Sequence, residues 1–104
     1  MLSQPRAIGY LRRDVSVNQT WDETQIRSLA ARLGYNLTKT VVFSEQTDRP
    51  VLRLCTVVAR LAVDAVFTPN VAHFDGAAIP ADLTKVVDVV TVNDKALYAR
   101  AVAG

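Results

Sequence analysis

Two kinds of apolar pattern alternate along this chain, and each is typical of a different secondary structure. Short, nearly continuous apolar runs rich in β-branched residues fit strands that are buried on both faces. Longer stretches with apolar residues three or four positions apart fit amphipathic helices. The short runs predict four strands, at Arg6–Leu11, Leu37–Phe43, Ala65–Thr68 and Val87–Val92.

The segment after the first strand has the signals of a helix. Thr20 can cap its start, and Glu23, three residues later, completes a capping box. Gly34 supplies the stop. We expect Trp21 to pack against the protein at the helix start rather than to bind a ligand. The apolar positions that share one face are Ile26, Leu29, Ala30 and Leu33.

Three further helices are predicted. The second begins near Pro50, which suits a first helical turn because proline lacks an N–H. Pro69–Ala78 is expected to be a loop, and Pro80–Val86 a short helix. A final helix, Asp94–Val102, is expected to be capped by Asn93 or Asp94 and to pack back on the sheet. The apolar face of the second helix is formed by Val51, Leu54, Cys55, Val58 and Leu61.

The resulting order of elements, β-α-β-α-β-(α)-β-α, predicts the fold class. Strands separated by helices favour a parallel sheet, because parallel strands need crossover connections. We therefore expect a three-layer αβα domain with a mostly parallel four-stranded sheet in the order 2-1-3-4. With 104 residues, the chain is expected to form one domain over residues 1–104.

Composition narrows the function classes only slightly. The net charge of +2 comes from interspersed charges, so a strong nucleic-acid surface is not expected. Cys55 is the only cysteine, which excludes an intramolecular disulfide and suits a reducing cytoplasm. No apolar stretch is long enough for a membrane span, and no metal site or cofactor is expected.

Candidate chemistry follows the first strand, where the sequence reads "LRRD". In a parallel sheet, ligands bind outside the carboxyl ends of the strands, so Arg12, Arg13 and Asp14 occupy the default site. The two guanidinium groups could hold a phosphate, or they could be neutralised by the carboxylate. The residues alone leave both alternatives open.

Four stretches together resemble the catalytic domain of the serine recombinases, the resolvase/invertase family. They are "AIGYLRRDVSVNQ", "LAARLGYNL", "TDRPVLRL" and "VDAVFTPNVAHFDG". The resemblance spans roughly residues 6–92 and includes the order of the elements. It implies the resolvase-like α/β fold and, for an intact site, DNA recombination through a phosphoserine linkage.

The resemblance also shows where this chain departs from the family. Tyr10 and Arg12 match the family's first-strand motif, and Arg49 matches the arginine before its second helix. Arg13 stands where an apolar residue is usual. Asp14 stands at the position of the nucleophilic serine, so the attacking hydroxyl is missing.

A second motif of the family, Asp-Arg-x-x-Arg, is also changed. Its positions are taken here by Ala72, His73 and Gly76, so two arginines that stabilise the transition state are replaced. His73, the single histidine, is expected to lie on the surface of a loop. We therefore expect the recombination chemistry to be lost.

Two alternatives keep some chemistry at this site. A shifted loop could present Ser16 as the nucleophile in place of Asp14. Phosphorylation of Asp14 itself is disfavoured, because the Mg²⁺ that supports such chemistry needs neighbouring carboxylates. The residual-enzyme hypothesis therefore uses Ser16 or Asp14, with Arg12 and Arg49 binding a phosphate or DNA.

The other hypothesis is a non-catalytic, regulatory domain that acts through protein contacts, with a protein partner or as a homodimer. Family members continue into a long helix and a DNA-binding helix-turn-helix, whereas this sequence ends at Gly104. We therefore expect no separate DNA-binding domain and only weak nucleic-acid binding. The phosphate-binding candidates remain Tyr10, Arg12, Arg13 and Arg49.

Overall fold

The elements alternate between strand and helix as the sequence pattern predicts. The structure, a computed structural model, describes residues 4–101. The strands are β1 (Arg6–Arg12), β2 (Asn36–Phe43), β3 (Ala65–Thr68), β4 (Asp88–Thr91) and β5 (Ala96–Tyr98). The helices are α1 (Gln19–Arg32), α2 (Pro50–Leu61) and the short α3 (Ala81–Thr84).

One five-stranded sheet forms the middle layer, in the order β2-β1-β3-β4-β5. The first four strands are parallel, and β5 is antiparallel to β4. The predicted fold class and the order 2-1-3-4 are confirmed. The predicted number of strands was wrong by one, because the pattern gave no signal for β5.

The two faces of β1 explain how the layers are held together. Successive side chains of a strand point to opposite faces. Ala7 and Leu11 pack with α1 in one buried cluster, whereas Ile8 and Tyr10 pack with α2 and α3 in the other. Burying apolar residues on both faces is what a central strand between helical layers requires.

The predicted final helix was wrong. Residues 96–98 form β5, and the hairpin before it turns at Lys95, which has a left-handed φ of 53°. The hydroxyl of Thr91 donates to a carboxylate oxygen of Asp94, so Asp94 binds within the hairpin rather than capping a helix. Val102, the last residue of the predicted helix, lies outside the described residues.

The start of α1 also differs from the prediction. Asn18 is the N-cap, and its Oδ1 accepts the N–H of Trp21 at 3.0 Å. Thr20, predicted as the cap, lies inside the helix. Trp21 is 61% exposed, so its expected packing role is wrong as well.

The segment between β3 and β4 contains more structure than a plain loop. It holds two 3₁₀ turns, Val71–His73 and Asp75–Ala77, before the short α3. Asn70 caps the first turn by accepting the N–H of Ala72 at 2.9 Å. These turns bring His73 and Asp75 back toward the end of β1.

Candidate functional site

Arg12 is the last residue of β1 and begins the candidate site. Its carbonyl accepts the N–H groups of Val15 and Ser16 at 3.1 and 3.0 Å, which fixes a tight turn directly after the strand. This edge of the sheet collects the carboxyl ends of the four parallel strands, the usual position of a ligand site in such folds.

Two carboxylates bind the Arg12 guanidinium. Nε and Nη2 donate to the two oxygens of Asp14 at 3.1 and 2.6 Å, a bidentate pair. Nη1 donates to Oδ1 of Asp75 at 2.7 Å. The Arg12 side chain is only 15% exposed. One cation faces two anions, so this cluster has an excess of negative charge.

The ionisation of the cluster follows from this pairing. The hydrogen bond from Arg12 holds the pKa of Asp14 below its usual range, and the same bond raises the pKa of Arg12. Asp14 is therefore a carboxylate at neutral pH, with both oxygens bound to Arg12. It has no hydroxyl that could attack a phosphodiester.

His73 is buried, not on the surface as predicted from its loop position. Its Nδ1 accepts the backbone N–H of Arg12 at 2.9 Å. This bond requires an unprotonated Nδ1, hence a neutral ring with its proton on Nε2. Burial lowers the pKa of His73, against the opposing effect of Asp22 and Asp14. The residue that the sequence resemblance aligns with an arginine thus binds the backbone and supplies no charge.

Tyr10 is buried beneath Arg12 and His73 and holds the His73 backbone in place. Its hydroxyl donates to the carbonyl of His73 at 2.6 Å. Its ring stacks on Phe74 at 4.9 Å and meets the edge of Phe43 at 5.5 Å. Burial raises the pKa of Tyr10 to about 12, so the hydroxyl remains a donor at neutral pH.

Ser16 lies in the turn after β1 and is partly buried. Its hydroxyl donates to Oδ2 of Asp22 at 2.5 Å. A carboxylate in this position could accept the serine proton, so the pair has one element of a nucleophilic site. Among residues 4–101, Arg12 shares the Asp14–Asp75 cluster and makes no side-chain bond to Ser16.

The other predicted cations do not join Arg12. The backbone N–H of Arg13 donates to the carbonyl of Phe43 at 2.9 Å, while its side chain is exposed. Arg49 is the N-cap of α2, with a left-handed φ of 48°, and it lines a separate groove on the far side of that helix. Tyr10 and Arg12 therefore meet at the site, and Arg49 does not.

Ala72 and Gly76, which the sequence resemblance aligns with the Asp-Arg-x-x-Arg motif, have no charged side chain. Ala72 and Gly76 are exposed, and Gly76 has a φ of 74°, which suits a residue without a Cβ. Sequence reasoning missed Asp75, although it lies inside the quoted "AHFDG" motif. Nothing in local spacing shows that it reaches Arg12, 63 residues earlier.

The cavity beside Arg12 is small. Its volume is about 40 Å³, and it lies between β1, the loop before α2 and the start of α3. That space suits ordered water rather than an organic ligand, since small-molecule sites occupy about 300 Å³ or more. Polar groups around it come from Tyr10, Arg12, Ser44, Glu45, Thr47 and Asp75.

The described part of the chain has neither a cluster of metal-ligating side chains nor a membrane-spanning helix. Within residues 4–101, no three His, Cys, Asp or Glu side chains are grouped in a way that could hold a metal ion. No helix in the same range combines the length and apolar character needed to cross a membrane.

Comparison with known proteins agrees with the architecture. The structure is similar to the C-terminal catalytic domain of ISC1926 TnpA, an IS607-like serine recombinase, with a TM-score of 0.65 and 18% identity. That match covers 84% of this chain and 67% of the other. The N-terminal catalytic domain of TP901-1 integrase gives 0.63 and 16% identity, over 88% and 80% of the two chains.

The sequence-based comparisons add no closer relative. No protein-family model matches the chain, and no curated protein matches it. The structural matches show that the chain has the fold of serine recombinase catalytic domains, as the sequence resemblance implies.

Proposed function

We propose that this chain is a recombinase-fold domain that does not cleave DNA and that acts, in a regulatory role, through protein contacts in the cytoplasm. The observation that carries the proposal is the pairing of Arg12 with both Asp14 and Asp75. The one family cation that remains at the end of β1 is bound by carboxylates, one of them at the position of the nucleophile. The single, partly buried Cys55 suits a reducing compartment.

The chemistry expected of an intact site needs a hydroxyl and several cations around the phosphorus. Asp14 has no hydroxyl, and its carboxylate repels a phosphodiester. His73 is neutral while its Nδ1 accepts the Arg12 N–H, and Gly76 has no side chain. Loss of the nucleophile together with its electrostatic partners removes nearly all of the rate enhancement.

A second candidate function is residual cleavage by Ser16. The Ser16–Asp22 hydrogen bond favours it, because Asp22 could take the proton while Oγ attacks phosphorus and the sugar oxygen departs with a proton from water. This route also needs a cation at the phosphate. Arg12 is already paired with two carboxylates, which makes this candidate the weaker of the two.

The cleavage assay separates these candidates. Purified protein is incubated with supercoiled plasmid, denatured with detergent and examined for nicked DNA and for protein joined covalently to DNA. We expect neither product from the wild type or from Ser16→Ala. A covalent adduct that disappears in Ser16→Ala would establish the second candidate, and an adduct that persists in this variant would refute both.

The protein-contact part of the proposal has separate support. Contiguous patches of exposed apolar side chains mark interaction surfaces. Light scattering distinguishes a homodimer from an 11.4 kDa monomer, and a monomer would indicate that the partner is a different protein. Leu33 and Leu97, which are 53% and 61% exposed, line one concave surface together with Leu29, Tyr35 and Val90.

A further inference from the structure

A second concave surface, separate from the cavity beside Arg12, lies between the end of β2 and the outer face of α2. Its volume is about 460 Å³, more than ten times that of the cavity beside Arg12. We call it the arginine groove. Its lining residues are Phe43, Asp48, Arg49, Leu52, Arg53, Thr56, Val57 and Arg60.

The charge of the arginine groove is the reverse of the charge around Arg12. Three arginines and a single carboxylate, that of Asp48, line it. Arg53 donates through Nε to the backbone carbonyl of Asp48 at 2.7 Å, which fixes the direction of its side chain. Across residues 4–101, Arg49, Arg53 and Arg60 form no ion pair. The groove therefore offers guanidinium groups to external carboxylates.

Apolar side chains lie between these arginines. Phe43 and Val57 are partly buried, and Leu52 is exposed. A surface that combines apolar contacts with guanidinium groups matches a peptide that carries both apolar and acidic side chains. It matches a phosphate backbone less well, since such a backbone offers no apolar group to Phe43 or Leu52.

The strand beside the groove can bind an extended segment through its backbone. Within residues 4–101, β2 is the terminal strand of the sheet and pairs only with β1, so its other edge has N–H and C=O groups that no described strand binds. Val42 is 37% exposed near the end of this strand. Addition of a partner strand would satisfy the free backbone groups and carry alternate side chains toward the groove.

A second copy of this chain does not fit the same edge. Antiparallel pairing of two β2 strands around a two-fold axis perpendicular to the sheet leaves both α2 helices on the same side of the joined sheet. Their arginine faces would then oppose each other, and like charges placed opposite one another destabilise the pair. The occupant must supply carboxylates.

We propose that the arginine groove and the free edge of β2 bind an extended, acidic and partly apolar segment of a partner protein. This inference rests on the proposed function, because it names the surface and the partner chemistry through which a non-cleaving domain would act. Arg53 and Arg60 bind the acidic side chains, and Phe43 and Leu52 contact the apolar ones.

The test uses an array of short peptides whose positions are varied among glutamate, lysine, valine and serine, probed with the full chain. The best sequences are then measured by fluorescence anisotropy. We expect binding to require both glutamate and valine, with valine at alternate positions. The variant Arg53→Glu/Arg60→Glu should bind these peptides about tenfold more weakly or worse.

Arg27→Glu is the matched control, since it reverses an exposed arginine on α1, on the opposite face of the sheet. It should leave peptide affinity unchanged, and circular dichroism should show that all variants are folded. Peptide binding that does not require glutamate, or that is equally tight in the double variant, would overturn the inference. So would tighter binding of a short DNA duplex that the double variant abolishes.

The outcome is independent of the cleavage assay. Failure of peptide binding with no plasmid cleavage would remove only the groove proposal. Cleavage that depends on Ser16 would remove the proposed function, whatever the peptides do.

Discussion

The backbone N–H of Arg12 donates to Nδ1 of His73 across 61 residues of sequence, at 2.9 Å. This bond joins the end of β1 to the 3₁₀ turn after β3, and it is available only while the histidine is neutral. An uncharged, buried His73 therefore binds the backbone at the end of β1, where the Arg12 side chain begins.

The His73 bond predicts a loss of stability in mild acid. Burial lowers the pKa of His73, so the unfolded state binds the proton more readily. The contribution of neutral His73 to the free energy of unfolding is fully present above the ordinary histidine pKa of about 6.5. It is lost as the pH falls toward the lowered pKa of the folded state. Urea unfolding from about pH 7.5 down to pH 5 measures this dependence.

His73→Asn is the control, because an amide can accept the Arg12 N–H but does not titrate in this range. The chain contains one histidine, so the difference between the two pH profiles isolates His73. Identical profiles would contradict the buried, neutral role of this residue.

Removal of the Tyr10 hydroxyl should cost stability without disturbing the aromatic packing. Tyr10→Phe keeps the ring on Phe74 but leaves the carbonyl of His73 without its donor. We expect a loss of about 1–3 kcal/mol, the cost of an unsatisfied buried group. Tyr98→Phe removes an exposed hydroxyl and should have little effect in the same urea titration.

The buried hydroxyl of Tyr10 also predicts that the folded state loses stability in alkali. Burial raises the pKa of Tyr10 from 10.0 to about 12. The contribution of the protonated hydroxyl to the free energy of unfolding is therefore complete below about pH 10 and is lost as the pH rises toward 12. Tyr10→Phe should therefore lose stability less steeply over this interval. An equally steep loss in both proteins would show that the hydroxyl is not buried as described.

The helix cap offers a direct contrast between the sequence signal and the structure. Asn18→Ala removes the acceptor for the Trp21 N–H and should cost about 0.5–2 kcal/mol. Thr20→Ala should cost little, because Thr20 is an exposed residue within α1. Thermal unfolding of the two variants measures the difference, and the reverse order of stability would restore Thr20 as the cap.

Gly9 marks a close contact in the middle of β1. A Cβ at this position would lie 2.8 Å from Oγ1 of Thr40 and 3.0 Å from Cγ2 of Ile26. Gly9→Ala should therefore cost about 1–3 kcal/mol by overpacking. Adding Thr40→Ala should recover part of that loss in a double-mutant cycle. A simple sum of the two single losses would argue against the contact.

The fold was predictable because its signals are local and agree with one another. The apolar run Ala65–Thr68 forms a strand with the predicted bounds, and Pro50 begins α2 as its missing N–H suggests. The order of strands followed from alternation and from the family resemblance. These features need no knowledge of distant contacts.

The predictions were wrong where contacts with residues distant in sequence determine the local structure. Residues 96–98 form a strand because β4 lies beside them, although the sequence around Leu97 also fits a helix. His73 is buried because Tyr10 and Arg12 bind it, and no spacing within its own loop reveals either bond. Asp75 was missed for the same reason.

The central claim is that the two carboxylates paired with Arg12 prevent it from binding a phosphate, and a calorimetric titration with inorganic phosphate tests this claim most directly. The wild type should give no binding heat even at millimolar phosphate. Asp14→Asn/Asp75→Asn, which frees the guanidinium, should bind phosphate, and the further change Arg12→Ala should abolish that binding. Phosphate binding by the wild type that is lost in Arg12→Ala would contradict the claim.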